Sequence, residues 1–117
     1  MVNINRLIRS FKFALRGISF VWRGQNFRIQ FFIGLLVFIM MYVLGLSRLE
    51  KVALILVITS VLILESLNTI FEHLSDILKP RLHDYIMIIK DIMAAVVLLA
   101  SIASVLVGIM VFWPYVF

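Results

Sequence analysis

Glu65, Asn68, Glu72 and Asp76 stand where an apolar run gives way to a polar one, and their types and spacing suit phosphate chemistry. At 100° per residue the offsets 0, 3, 7 and 11 fall within about 80° of one another, so a single helix would carry all four in a line. A carboxylate inside a membrane is costly without partners, and a row of them on one face calls for a reason. Further along come His83, Asp84, Lys90 and Asp91, which a returning helix would bring back to the same level. Phosphoryl transfer needs carboxylates for a metal ion, cations for the phosphates and a base near the attacking hydroxyl. Glu72 and Asp76 suit a hydrated Mg²⁺ that bridges phosphates, and Lys90 suits the phosphates themselves. Glu65, deeper and poorly solvated, suits a general base for an alcohol held at headgroup depth. The same residues also allow a plainer reading, in which buried polar groups glue an oligomer together.

The elements that must position these groups follow from hydropathy. Of 117 residues 64% are apolar and 15% charged, more apolar surface than a soluble chain of this length could hide. Three spans are expected, at residues 29–46, 52–71 and 92–113, each near the roughly 20 residues that cross a bilayer. Ala94, Ala95, Ala100, Ala103 and Gly108 give the third span small faces for close packing, and Phe112, Trp113 and Tyr115 read as an interfacial anchor. Ser101 and Ser104 are expected to bond back to their own helix. The six methionines read as lipid or core contacts, His73 as a helix-surface residue, and Asp84 as a cap of the third span. There are no cysteines, which excludes disulfides and thiolate metal sites.

Ahead of the spans, Ile4, Leu7, Ile8, Phe11, Leu15, Ile18, Val21 and Trp22 recur at helical spacing, with Arg6, Arg9, Lys12, Arg16 and Arg23 opposite. A basic amphipathic helix over residues 4–22, lying in the membrane interface, is the expectation. A soluble amphipathic helix is the alternative, though the rest of the chain offers it little core. Because the first apolar run begins only at Ile29, no cleavable leader is expected. The net charge of +5 sits beside the spans and reads as contact with anionic headgroups rather than nucleic acid. The basic residues before the first span and those between the second and third, Lys79, Arg81 and Lys90, fall on one side, which the positive-inside rule assigns to the cytoplasm, where ATP is available.

The run Glu65-Ser66-Leu67-Asn68-Thr69-Ile70-Phe71-Glu72, followed by Asp76, His83 and Lys90-Asp91 ahead of an alanine-rich span, resembles the prokaryotic diacylglycerol kinase family, which includes undecaprenol kinases. The resemblance extends through Phe13-Ala14-Leu15-Arg16-Gly17, Asn26-Phe27-Arg28-Ile29 and Gly45-Leu46-Ser47-Arg48-Leu49-Glu50, so it covers nearly the whole chain, and the last two stretches are closer to the undecaprenol-kinase branch. It implies an ATP-dependent lipid kinase, a homotrimer of three-span subunits with an N-terminal surface helix, and sites shared between neighbours. It implies Glu65 as the catalytic base with Asn68 beside it, and Glu72 as a metal ligand. Arg6, His83, Lys90 and Asp91 would contact the nucleotide. No Gly-rich phosphate loop is present, which fits this family and not a P-loop enzyme. In one respect the chain departs from the pattern. A second metal-binding glutamate is expected just before Asn26, and Gly24 and Gln25 stand there instead. Phe13 also stands where a tyrosine is common. A weakened or inactive lipid-binding member therefore stays open, as does a small proton-coupled transporter. The transporter fits less well, since its membrane glutamate would be expected in the first of four spans.

Overall fold

The computed structural model describes residues 1–78 and 83–117, and of His83 the backbone only. Lys79 and Arg81, which the orientation argument uses, lie outside the described residues. The chain is all-helical: α1 spans Ile4–Trp22, α2 Gln25–Val43, α3 Arg48–Leu78 and α4 His83–Val116. The last three are long and apolar enough to cross a membrane.

The second and third helices of the expected trio outrun their hydrophobic spans. At 1.5 Å per residue the 31 residues of α3 extend about 46 Å, well beyond the ~30 Å hydrocarbon core. Its polar end, from Glu72 to Leu78, continues the helix beyond the expected span, and the acidic row keeps its register. α4 begins at His83, so Asp84 sits inside the first turn rather than at the cap. Pro114 lies in the last turn of α4, where it has no N–H to offer the preceding turn.

Local chemistry sets the ends. The side chain of Asn3 accepts from the Arg6 amide at 3.2 Å and caps α1. α2 stops three residues short of the expected Leu46, because Gly45 takes φ +67° and closes a left-handed cap. The Gly45 amide donates to the Tyr42 carbonyl at 3.3 Å, and the Leu46 amide to the Met41 carbonyl at 3.1 Å. That turn folds Leu46 back on Met41, and with Leu54 they form the buried apolar cluster. Ser47 then opens α3 reciprocally. Its hydroxyl accepts from the Glu50 amide at 3.3 Å, while Glu50 accepts from the Ser47 amide at 3.0 Å. The Tyr115 hydroxyl donates to the same Glu50 oxygen at 2.5 Å, tying the end of α4 to the start of α3.

The most extensive pairing is α3 with α4; α2 packs on α3, and α1 touches α2 lightly. Trp22 sits at the α1–α2 corner with its ring edge-on to Phe27, Phe31 and Phe32, at 5.1–6.3 Å between centroids. α1 is exposed along almost its whole length, apolar and basic residues alike.

α2 and α3 approach closely at Gly34, which is buried. A Cβ there would stand 2.7 Å from Ile58 Cγ2, and a β-branched side chain has little freedom to give way. Gly34→Ala should therefore destabilise the helix pair by about 1–3 kcal/mol. Thermal unfolding in detergent checks this, and an unchanged midpoint would show that the helices are not pressed together there.

Candidate active site

Glu65, Asn68 and Glu72 of the row on α3 face a groove shared with α2 and α4. Glu65 is only 5% exposed, the deepest of the row. The hydroxyls around it are already satisfied along the helix: Ser66 donates to the Leu62 carbonyl at 2.8 Å and Thr69 to the Glu65 carbonyl at 3.2 Å. Glu65 Oε2 instead accepts across helices, from Gln30 Nε2 at 3.5 Å. One turn on, Asn68 Nδ2 donates to Glu72 Oε1 at 3.2 Å. This holds one carboxylate oxygen of Glu72, and among the described residues the other has no hydrogen-bond partner.

These groups open onto one cavity of about 360 Å³. Its polar wall is Asn26, Glu65, Asn68, Glu72, Lys90 and Ser101, and its apolar wall is Phe71, Ala94, Val97 and Leu98. A proton acceptor, a carboxylate with a free oxygen and a lysine thus share one space, bounded on one side by membrane-facing helix. That set matches the needs of phosphoryl transfer to an alcohol.

Other expected site residues lie elsewhere. Asp76 is exposed and outside the cavity wall, where its Oδ1 forms an ion pair with Lys90 Nζ at 3.6 Å. A solvated pair of this kind contributes about 0–1 kcal/mol, so it leaves Lys90 free to turn to a stronger anion. Arg6, in the first turn of α1, and Asp91, on α4, are exposed and form no part of the cavity wall. The side chain of His83 falls outside the described residues. His73 packs edge-on against Phe20 at 6.4 Å, joining α3 to α1. Ser101 donates to the Val97 carbonyl and Ser104 to the Ser101 carbonyl, as expected of hydroxyls in an apolar helix.

A divalent ion would find a sparse donor set. Among the described residues no three carboxylates or histidines come together. Mg²⁺ does not need such a cage, since it keeps several waters and takes one or two carboxylates plus phosphate oxygens. Glu72, with one oxygen uncommitted, fits that use. Gly24 is the N-cap of α2 and Gln25 its first residue, both exposed, so this corner of α1 and α2 carries neutral groups, and of it only Asn26 lines the cavity.

Two residues of this region carry no role in the sequence reading. Asn26 lines the cavity one turn from Gln30, and Gln30 joins α2 to Glu65. The available signal was an amide pair at i, i+4 at the head of an apolar span, opposite a membrane glutamate.

The chain matches the family described as prokaryotic diacylglycerol kinase over residues 12–112. It is 39% identical over 104 residues to a diacylglycerol kinase of Synechocystis sp., in an alignment that covers 87% of this chain and 59% of that one. It is 31% identical over 112 residues to the undecaprenol kinase of Bacillus subtilis, covering 95% of this chain and 91% of that one. The chain thus spans less than two thirds of the first relative's length and most of the second's. No solved structure matches it significantly.

Proposed function

This chain belongs to the prokaryotic diacylglycerol kinase family, and from that premise we propose that it transfers the γ-phosphate of ATP to the hydroxyl of a membrane lipid, a diacylglycerol or an undecaprenol-type alcohol. One observation carries this reading: Glu65, Asn68, Glu72 and Lys90 line a single cavity beside membrane-crossing helices.

Glu65 takes the proton of the lipid hydroxyl. The alcohol oxygen bonds to the γ-phosphorus as the bond to the ADP oxygen breaks. Lys90 leaves Asp76 to neutralise phosphate oxygens, a compact charge suited to that task. Asn68 orients Glu72, which would hold Mg²⁺, and the ion would supply positive charge against the phosphates. The basic α1 lies on the cytoplasmic interface, with the N-terminus on that side. Arg6 and Asp91, remote from the cavity wall within one subunit, serve the nucleotide in a homotrimer whose sites are shared between neighbours. His83 belongs to the same nucleotide-binding group.

The test is reconstitution in vesicles with Mg·ATP and either a polyprenol or a diacylglycerol. Labelled lipid phosphate with one of them is the expected result. None with either, together with no difference between the wild-type chain and Glu65→Gln, overturns the reading.

The neutral corner favours a kinase of reduced affinity for Mg·ATP. Gln25→Glu adds a carboxylate without changing shape, at a helix N-terminus that favours negative charge. Gly24→Glu is the tighter choice, because its Cβ would meet the Val21 carbonyl at 3.3 Å. The half-saturating Mg²⁺ concentration should fall by roughly tenfold in Gln25→Glu, equivalent to about 1.4 kcal/mol of added attraction. An unchanged Mg²⁺ titration of lipid phosphorylation would count against a depleted metal site.

A further inference from the structure

Gln30 is a half-buried polar residue to which the mechanism above gives no task. It sits in α2, with its Nε2 donating to Glu65 Oε2 at 3.5 Å. Its Oε1 is sealed from solvent and has no partner among the described residues. The orientation follows from charge: toward an ionised carboxylate only the NH₂ end of an amide can point. An amide whose oxygen is sealed and unpaired is unfavourable compared with a leucine of similar size, so fold stability does not account for it.

Its place in the fold does. Gln30 heads an apolar groove of about 290 Å³ between α2, α3 and α4, and Ser101 lines both this groove and the polar cavity that holds Glu65. One turn along α2 is Gly34, whose lack of a side chain lets α2 close on Ile58. That close approach brings the Gln30 amide within reach of α3.

We infer that Gln30 is a positioning residue for Glu65: its carboxamide holds Oε2 from α2 and leaves Oε1 as the oxygen that receives the acceptor's proton. The inference rests on the lipid-kinase reading of the cavity. Once the hydroxyl proton has moved to Glu65, the alcohol oxygen has joined phosphorus and ADP has departed, Glu65 is an acid and its O–H is a donor. A half-turn of the Gln30 carboxamide presents its unpartnered oxygen to that O–H. The same side chain can therefore hold the base before and after the proton arrives, which neither a hydrocarbon nor a carboxylate could do.

The test compares the full chain in vesicles with Gln30→Met, which keeps the length and removes both donor and acceptor, and with Gln30→His, which restores one N–H. In Gln30→Met, kcat should fall roughly 10- to 100-fold through misplacement of the base. KM for Mg·ATP and the unfolding temperature should hold, and Gln30→His should recover part of the loss. The contact is read without turnover by the infrared carboxyl bands of Glu65, assigned as those missing in Glu65→Gln. They should shift in Gln30→Met. A kcat within about twofold of wild type, a loss that only follows a lowered unfolding temperature, or unmoved Glu65 bands would each overturn the inference while leaving the kinase reading in place. A wild-type chain inactive on every lipid would overturn both, even with the bands displaced.

Discussion

Glu65→Gln should abolish lipid phosphorylation and leave the protein folded and able to bind nucleotide. The two side chains have the same shape, and the Gln30 amide that now donates to Glu65 can pair with another amide as well. Removing a charge from a site 5% exposed takes away a desolvation cost, so unfolding in detergent should occur at the same temperature or higher. What is lost is the proton acceptor, whose contribution to turnover is about 10²- to 10⁴-fold. Nucleotide binding should survive, because Lys90 and Glu72 lie nearer the polar rim of α3 and α4 than Glu65 does. The measurement is the initial rate of label transfer in vesicles, beside equilibrium binding of ATP to the same preparation. Near-normal transfer would mean that the proton goes to another group, and the cavity would need a different chemistry.

That Glu65 invites such a test was legible before any coordinates, because the evidence was residue type and helical spacing alone. A glutamate in an apolar helix is expensive wherever the helix lies, and offsets of 3 and 4 keep Asn68 and Glu72 on its face whatever the neighbours do. The ends of the helices were less legible. Hydropathy ends a span at Phe71, whereas hydrogen bonding continues α3 to Leu78 through residues too polar for lipid. The stop at Val43 depends on Gly45, and the start of α3 on Ser47 and Glu50, which stand at the spacing of a reciprocal cap. What escaped the sequence altogether was contact between helices. Gln30 reads as a blemish in an apolar span until Gly34 and Ile58 set how closely α2 approaches α3. Tyr115 reads as a membrane anchor, but its hydroxyl is bound to Glu50, 65 residues away. Lys90 and Asp76 read as two separate nucleotide contacts, yet they meet each other. Each depends on crossing angles that no local pattern encodes. Arg6 and Asp91 belong to the same class, since their partners depend on where α1 lies and how subunits assemble.

Glu72→Ala should be as severe as the loss of Glu65, for a different reason and with a different signature. Glu72 is exposed and its bond to Asn68 lies on the same helix, so its removal should hardly disturb stability. Apart from the buried Glu65, it is the one carboxylate in the cavity wall among the described residues, and neither Gly24 nor Gln25 can replace its charge. Loss of a metal that stabilises the transferring phosphate forfeits several kcal/mol, which at 1.36 kcal/mol per decade is about a 10³-fold fall in turnover. Two controls separate this from a folding defect. Raising Mg²⁺ should restore little, because the site lacks a second anionic ligand. Asn68→Ala, which frees Glu72 without removing it, should cost much less and should respond to added Mg²⁺. If Glu72→Ala phosphorylated lipid at a near wild-type rate, the metal would have to be held by groups outside this wall. Asp76 and Asp91, both exposed and both set apart from the cavity in a single subunit, would then be the first to examine, and the site would have to be rebuilt across a subunit boundary.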